Sequence, residues 1–103
     1  MDNQHRKIEG YRELSQGEID LMNRIKAKGA ELLELQAELV DELHRQEREK
    51  EEDASTSSDD SVWGQEYRRF QAAEPLRWAS IGKTDIQTGI MALVRAVAQP
   101  TNS

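Results

Sequence analysis

Two stretches of the chain place apolar residues at helical spacing, and each is bounded by residues that start or stop helices. In the first, Ile19, Met22, Ile25, Leu32, Leu33, Leu39, Val40 and Leu43 recur at intervals that return side chains to one side of a helix. Just before them, Ser15-Gln16-Gly17-Glu18 sets a hydroxyl and a carboxylate three positions apart, the pattern in which each side chain accepts from the other's backbone N–H. The pattern predicts an N-terminal segment over residues 1–14 and helix 1 over 15–52, loosened at Gly29. Residues 53–61, rich in Asp and Ser, are too polar to pack and read as a linker. The second region, 62–99, begins with a short helical run carrying Trp63, Tyr67 and Phe70 and continues as a longer helix from about residue 75. Pro75 suits a first helical turn, where its missing N–H costs nothing, and Pro100 stops the helix after Gln99. The expected fold class is all-α: one antiparallel helical hairpin domain spanning 1–103.

The second helix carries two faces. At about 100° per residue, Ala79, Gly82, Ile86, Gly89, Leu93 and Ala96 form a narrow seam, while Arg77, Ser80, Thr84 and Thr88 lie opposite. Alternating small and large residues let two helix backbones approach closely while the larger chains fill the gaps. A helical glycine costs about 1 kcal/mol against alanine, so two of them one heptad apart point to packing, and the seam predicts a homo-oligomer. A flexible break at each glycine is the alternative.

Composition supports assembly. The chain has 103 residues, 36% hydrophobic and 33% charged, with few aromatics, so a single copy buries only a small core. It has no cysteine, which removes disulfides, thiolate metal sites and a cysteine nucleophile, and fits a reducing cytoplasm. The opening residues lack a signal peptide's apolar core, and the run Ile90 to Val94 is too short to span a bilayer, so a soluble protein with no membrane partner is expected. The net charge of −6 argues against broad binding of duplex nucleic acid, whose affinity comes from neutralising many phosphates. The charge is uneven: from Arg68 onward, Arg68, Arg69, Arg77, Lys83 and Arg95 face only Glu74 and Asp85. A small ligand with a few phosphates fits that balance.

No catalytic constellation emerges. Ile81-Gly82-Lys83-Thr84 imitates the end of a phosphate-binding P-loop, but the required glycine five positions before Gly82 is Arg77, and no strand run precedes it. His5 and His44 read as solvated surface residues, no pair has metal-ligand spacing, and the carboxylates mostly find Lys or Arg three or four residues away. The expectation is a protein that is not an enzyme and needs no metal or cofactor.

Tyr11 could stack on a base and Lys26 could meet a phosphate. From the residues alone the ordinary reading is preferred: a tyrosine packing where the helix begins and a lysine on a wet face. Ser15 and Lys26 are eleven helical steps apart, about 16 Å, so a pocket shared by Lys26 and the cap region needs chain reversal or a second copy. The polar face of helix 2 likewise admits two readings: an anion site, or the outer surface of a purely structural helical assembly. An adaptor presenting its acidic helix to a basic partner ranks below both.

Particular runs change this balance. Met1-Asp2-Asn3-Gln4-His5, Gly10-Tyr11-Arg12 through Leu14-Ser15, Glu18-Ile19-Asp20, Met22-Asn23-Arg24 and Lys26 stand at one end. Ala73-Glu74-Pro75, Arg77-Trp78, Ile81 through Gly89, and Arg95-Ala96 to Pro100 stand at the other. Together they closely resemble the small phage anti-CBASS proteins that sequester cyclic oligonucleotides, over something more than half the chain. The resemblance implies a homohexamer of helical hairpins that binds second messengers without cleaving them, in the cytoplasm of the infected bacterial host. It implies that Tyr11 and Lys26 serve a pocket for cyclic dinucleotides such as cGAMP, the tyrosine stacking and the lysine meeting phosphate. It implies that Arg77 serves a separate pocket, between protomers, for cyclic trinucleotides such as cyclic tri-AMP. Helical position extends that second site to Thr84, Lys83 and Ser80, with Arg77 a charged fork and Thr84 a neutral donor for phosphate oxygens.

Overall fold

The structure, a computed structural model, describes residues 12–101. Three helices follow one another: α1 (Gln16–Ser55), α2 (Val62–Ala73) and α3 (Pro75–Ala98). The described residues contain no strand, and the arrangement is a helical hairpin.

Each boundary has a chemical cause. At the start of α1, the Glu18 N–H donates to Ser15 Oγ at 3.2 Å and the Ser15 N–H donates to Glu18 Oε1 at 2.9 Å, which satisfies two donors that the first turn cannot pair internally. The other end runs to Ser55, three residues into the stretch expected as linker. Ser55 Oγ donates to the Glu52 carbonyl at 2.8 Å and Thr56 Oγ1 to the Asp53 carbonyl at 3.2 Å, so the polarity that reads as linker here occupies carbonyls of the last turn. Ser61 caps α2 by accepting from the Gly64 N–H at 3.0 Å.

Glu74 ends one helix and begins the next. Its backbone is left-handed, φ 49°, and its N–H donates to the Gln71 carbonyl at 3.2 Å, while its own carbonyl accepts from Trp78 at 3.1 Å. Pro75 disfavours a continued right-handed helix at the preceding residue, and with Glu74 left-handed α2 stops there and α3 starts at once. Gln99, φ 52°, ends α3 in the same way, one residue before Pro100.

The contacts divide the chain into two compact units. One comprises the described residues up to Leu32 together with those from Asp85; the other is Leu33–Thr84. Within Leu33–Thr84, Leu43, Phe70 and Ala79 are the buried apolar residues, with Val40 and Leu76 packed against them. Gln36 Nε2 donates to the Ala79 carbonyl at 3.0 Å, and Lys50 pairs with Glu66 at 3.3 Å with its ammonium 6.0 Å from the Phe70 ring centre. Gly64 is required: a Cβ there would stand 2.7 Å from the Asp59 carbonyl oxygen and 2.9 Å from that of Ser58, backbone atoms that cannot step aside.

In the other unit Gly29 packs against Ile90, where a Cβ would overlap the isoleucine side chain, 2.6 Å from Cγ1. The glycine expected to loosen helix 1 is instead a contact point inside an unbroken helix. The Arg12 guanidinium binds the Glu18 carboxylate and donates to the Val97 carbonyl at 2.7 Å, tying the start of α1 to the last turn of α3.

Candidate ligand faces

α3 presents its polar residues outward in the first three turns. Because Ala79 is buried and Leu76 half-buried, Arg77, Ser80 and Thr84 are turned to solvent. Steps of three and four residues stack them on one face, with about 10 Å of helix rise between Arg77 and Thr84. Lys83 is also exposed but lies about 120° around the helix from Arg77, so it flanks this face and is not on it.

The Arg77 side chain is 60% exposed. Its sole carboxylate partner among the described residues is Glu74 at 3.5 Å, and its guanidinium lies 5.5 Å from the centre of the Trp78 ring. The pair is long and solvated, so little holds Arg77 back from an incoming anion. Thr84 differs from expectation in one respect. Its hydroxyl donates to the Ser80 carbonyl at 3.3 Å, so in this structure Thr84 offers an incoming phosphate its lone pairs, and must give up this weak bond to donate. The Ser80 hydroxyl has no hydrogen-bond partner among the described residues and is the readier donor.

Lys26 is exposed on α1 and pairs with no carboxylate among the described residues. Arg24 and Lys28 lie two positions to either side; Lys28 pairs with Glu31 at 3.5 Å. Tyr11, the other half of the expected cyclic dinucleotide site, lies outside the described residues. Its neighbour Arg12 is anchored by the ion pair with Glu18, and the Arg12 hydrogen bond, followed by that of the Ser15 N–H, pulls the Glu18 carboxyl down to about 2.

A groove of about 450 Å³ in the first unit is lined by Leu21, Ile25, Leu32, Ile86, Gly89, Ile90 and Leu93, among others, with Arg24 and Lys28 as its charged members. Lys26 is not in it. The groove is apolar and holds three of the seam residues read from the sequence, which marks it as a packing surface and not a phosphate site.

The seam itself is only partly covered in one chain. Ala79 is buried, Gly82 and Ile86 are half-buried, and Gly89, Leu93 and Ala96 are exposed, Leu93 by 56%. Among the described residues, nothing lies within 4 Å of where a Cβ of Gly82 or Gly89 would stand. Among the described residues, no packing within one chain explains either glycine.

Sequence reasoning passed over Trp78 and Arg12. Trp78 is 59% exposed beside Arg77, and the available signal was its position directly after the arginine on a helix whose core residues are Leu76 and Ala79. Arg12 gave no such signal, since Val97 lies 85 positions away. Among the described residues no group of His, Asp and Glu could hold a metal ion, and no helix is long and apolar enough to cross a membrane.

These features define a small all-α hairpin protein with outward cationic helix faces and an apolar groove. Comparison with known proteins gives the family. The Acb2/Tad1 hairpin domain matches residues 4–98, so the chain belongs to the Acb2/Tad1 hairpin family. It is 62% identical over 105 aligned residues to Anti-CBASS protein 2 of Pseudomonas phage JBD67, covering 97% of each chain. The relationship therefore takes in the middle of the chain as well as the two ends that carried the resemblance.

Proposed function

We propose that this protein sequesters cyclic di- and trinucleotide second messengers without cleaving them, and so blocks CBASS immunity in the cytoplasm of the infected bacterium. The observation that carries the reading is the near-full-length similarity to Anti-CBASS protein 2. The exposed Arg77 and Ser80, with Thr84 above them, supply charge and hydroxyls for phosphate oxygens, and Lys26 is a free cation among the described residues. Tyr11 completes the cyclic dinucleotide site; Lys83 contributes long-range charge from the flank of the trinucleotide site.

The same reading includes self-association, with a homohexamer as the assembly. The open positions over Gly82 and Gly89 and the groove lined by Ile86, Gly89 and Leu93 support it, since a second helix brought against them would bury apolar surface now in water. Assembly without a ligand is the competing reading, and it leaves the solvated Arg77, Ser80 and Lys26 without a task.

Calorimetric titration with cGAMP and cyclic tri-AMP, followed by heat denaturation and chromatography of the released compound, tests the proposal. Saturable binding with intact ligand recovered is expected. Absence of binding to either compound by the assembled protein would leave the structural reading in its place.

A further inference from the structure

We propose that Arg12 is a positioning residue of the cyclic dinucleotide site: its grip on Glu18 and on the Val97 carbonyl fixes the point from which Tyr11 reaches a base. The inference rests on the reading of Tyr11 as the stacking residue and adds the group that holds it in place before ligand arrives.

The first observation is that Arg12 is already engaged. Its guanidinium donates from Nη1 to Glu18 Oε1 at 3.2 Å, from Nη2 to Glu18 Oε2, and from Nη2 again to the Val97 carbonyl at 2.7 Å. A cation with three acceptors in place has little left for a phosphate, and the carboxylate at its side repels one. Lys26 is the opposite case, an exposed ammonium with no carboxylate partner among the described residues. Arg12 therefore holds the chain, and Lys26 is the cation left for the ligand.

The second observation is what is held. Arg12 lies before α1, where no helical hydrogen bond restrains the backbone, so its side chain is what ties this part of the chain down. Both of its partners are fixed by their own elements: Glu18 also accepts from the Ser15 N–H at 2.9 Å in the cap of α1, and Val97 belongs to the last turn of α3. Tyr11 is joined to Arg12 by one peptide bond, which spans about 3.8 Å between α-carbons. A stacking ring is the kind of group that gains most from such an anchor, because a residue free to wander must be ordered when the base arrives, whereas one tethered beforehand has less entropy left to lose.

The test measures binding and association kinetics of cGAMP with the full-length protein. Arg12→Ala and Glu18→Gln, the second of which keeps an acceptor for the Ser15 N–H, should each weaken cGAMP binding about five- to thirtyfold, the factor expected when one residue must be ordered on binding. The loss should appear chiefly as slower association, because fewer molecules hold the competent conformation, and cyclic tri-AMP binding and the mass of the assembly should stay as in the parent. In a Tyr11→Ala protein, titrated at raised concentration, adding Arg12→Ala should cost nothing further, since nothing remains to be positioned. Arg12→Ala at the parent's cGAMP affinity overturns the proposal, as does the same loss repeated in the Tyr11→Ala protein. So does a Glu18→Gln protein that binds cGAMP more tightly, since Arg12 is then a phosphate contact restrained by its carboxylate; each of these results leaves the Tyr11 and Lys26 site standing. Failure of the parent to bind cGAMP, or Tyr11→Ala at the parent's affinity, overturns the reading of the site and the proposal with it.

Discussion

Arg12 and Val97 stand 85 positions apart in the chain, yet the guanidinium of one donates to the carbonyl oxygen of the other at 2.7 Å. Val97 lies in the last turn of α3, where carbonyls have no partner within the helix and carry the negative end of its dipole, so a fixed cation there answers both needs. The same guanidinium binds Glu18, which is already half of the cap on α1. One side chain thus fastens two helix ends.

Arg12→Ala should loosen both ends while leaving the hairpin folded. Amide exchange is expected to rise several-fold at Ile19 and at Gln99, whose N–H groups bond Ser15 and Arg95 at these ends, and to stay unchanged near Phe70. Uniform acceleration would show that the clasp supports the whole fold. The pH dependence follows from Glu18. Its carboxyl is lowered to about 2, chiefly by Arg12, so its contribution is complete above the ordinary carboxylate range and is lost as pH falls through about 2. The ends should therefore stay protected at pH 4 in the parent, and Glu18→Gln should expose them at neutral pH.

Two glycines at opposite kinds of position separate folding from assembly. Gly29→Leu meets the Ile90 side chain and should destabilise the chain by about 1–3 kcal/mol, seen as a lower thermal midpoint. At Gly89 nothing among the described residues of one chain lies within 4 Å of an added Cβ, so helix content should survive Gly89→Leu. If a second copy occupies that space, the same substitution reduces the mass measured by light scattering. A Gly89→Leu protein that keeps the parent's full mass places the interface elsewhere.

These glycines also show where sequence reading stops. The 3.6-residue period identifies the stripe Ala79, Gly82, Ile86, Gly89, Leu93 and Ala96, but not what covers it. In the chain, the residues that turn inward beyond Ile86 are Ile90, Val94 and Val97, on the adjacent stripe, and Gly89, Leu93 and Ala96 stay in water. The period was legible because it is local; the partner was not, because it depends on which residues of α1 lie opposite. Gly29 shows the same limit, since only Ile90, far along the chain, reveals why a side chain is excluded there. The exposed face of Arg77, Ser80 and Thr84 followed directly from helical geometry. The Thr84 hydrogen bond to Ser80 did not, because a hydroxyl with an available carbonyl one turn back can turn inward or outward.

The two ligand faces should respond separately to substitution. Arg77→Ala should weaken cyclic tri-AMP binding about ten- to a hundredfold, the loss of a charge-assisted phosphate contact of about 1.5–3 kcal/mol, and leave cGAMP binding close to the parent. Lys26→Ala or Tyr11→Ala should do the reverse. Ser80→Ala should cost cyclic tri-AMP binding more than Thr84→Val does, because the Thr84 hydroxyl is already engaged with a carbonyl. Equal loss of both ligands in an Arg77→Ala protein of normal mass would unite the sites.

Sequestration implies that ligand leaves as it entered. A binder suppresses a signal when its dissociation constant lies below the signalling concentration and its sites are numerous, which a small subunit repeated in an assembly provides; nanomolar affinity corresponds to about −12 kcal/mol. Cleavage of a cyclic phosphodiester would require an activated nucleophile and a way to stabilise charge on the leaving oxygen. Beside Arg77 stand the Ser80 and Thr84 hydroxyls and Glu74; Glu74 contacts Arg77 and Thr84 donates to a carbonyl, and among the described residues neither hydroxyl has a base in contact. Incubating the protein with a tenfold excess of each cyclic compound should therefore return the compound intact, with one portion released only on heating. Linear nucleotide accumulating beyond one equivalent per site, and lost in Arg77→Ala, would establish turnover and make the Arg77 face an active site.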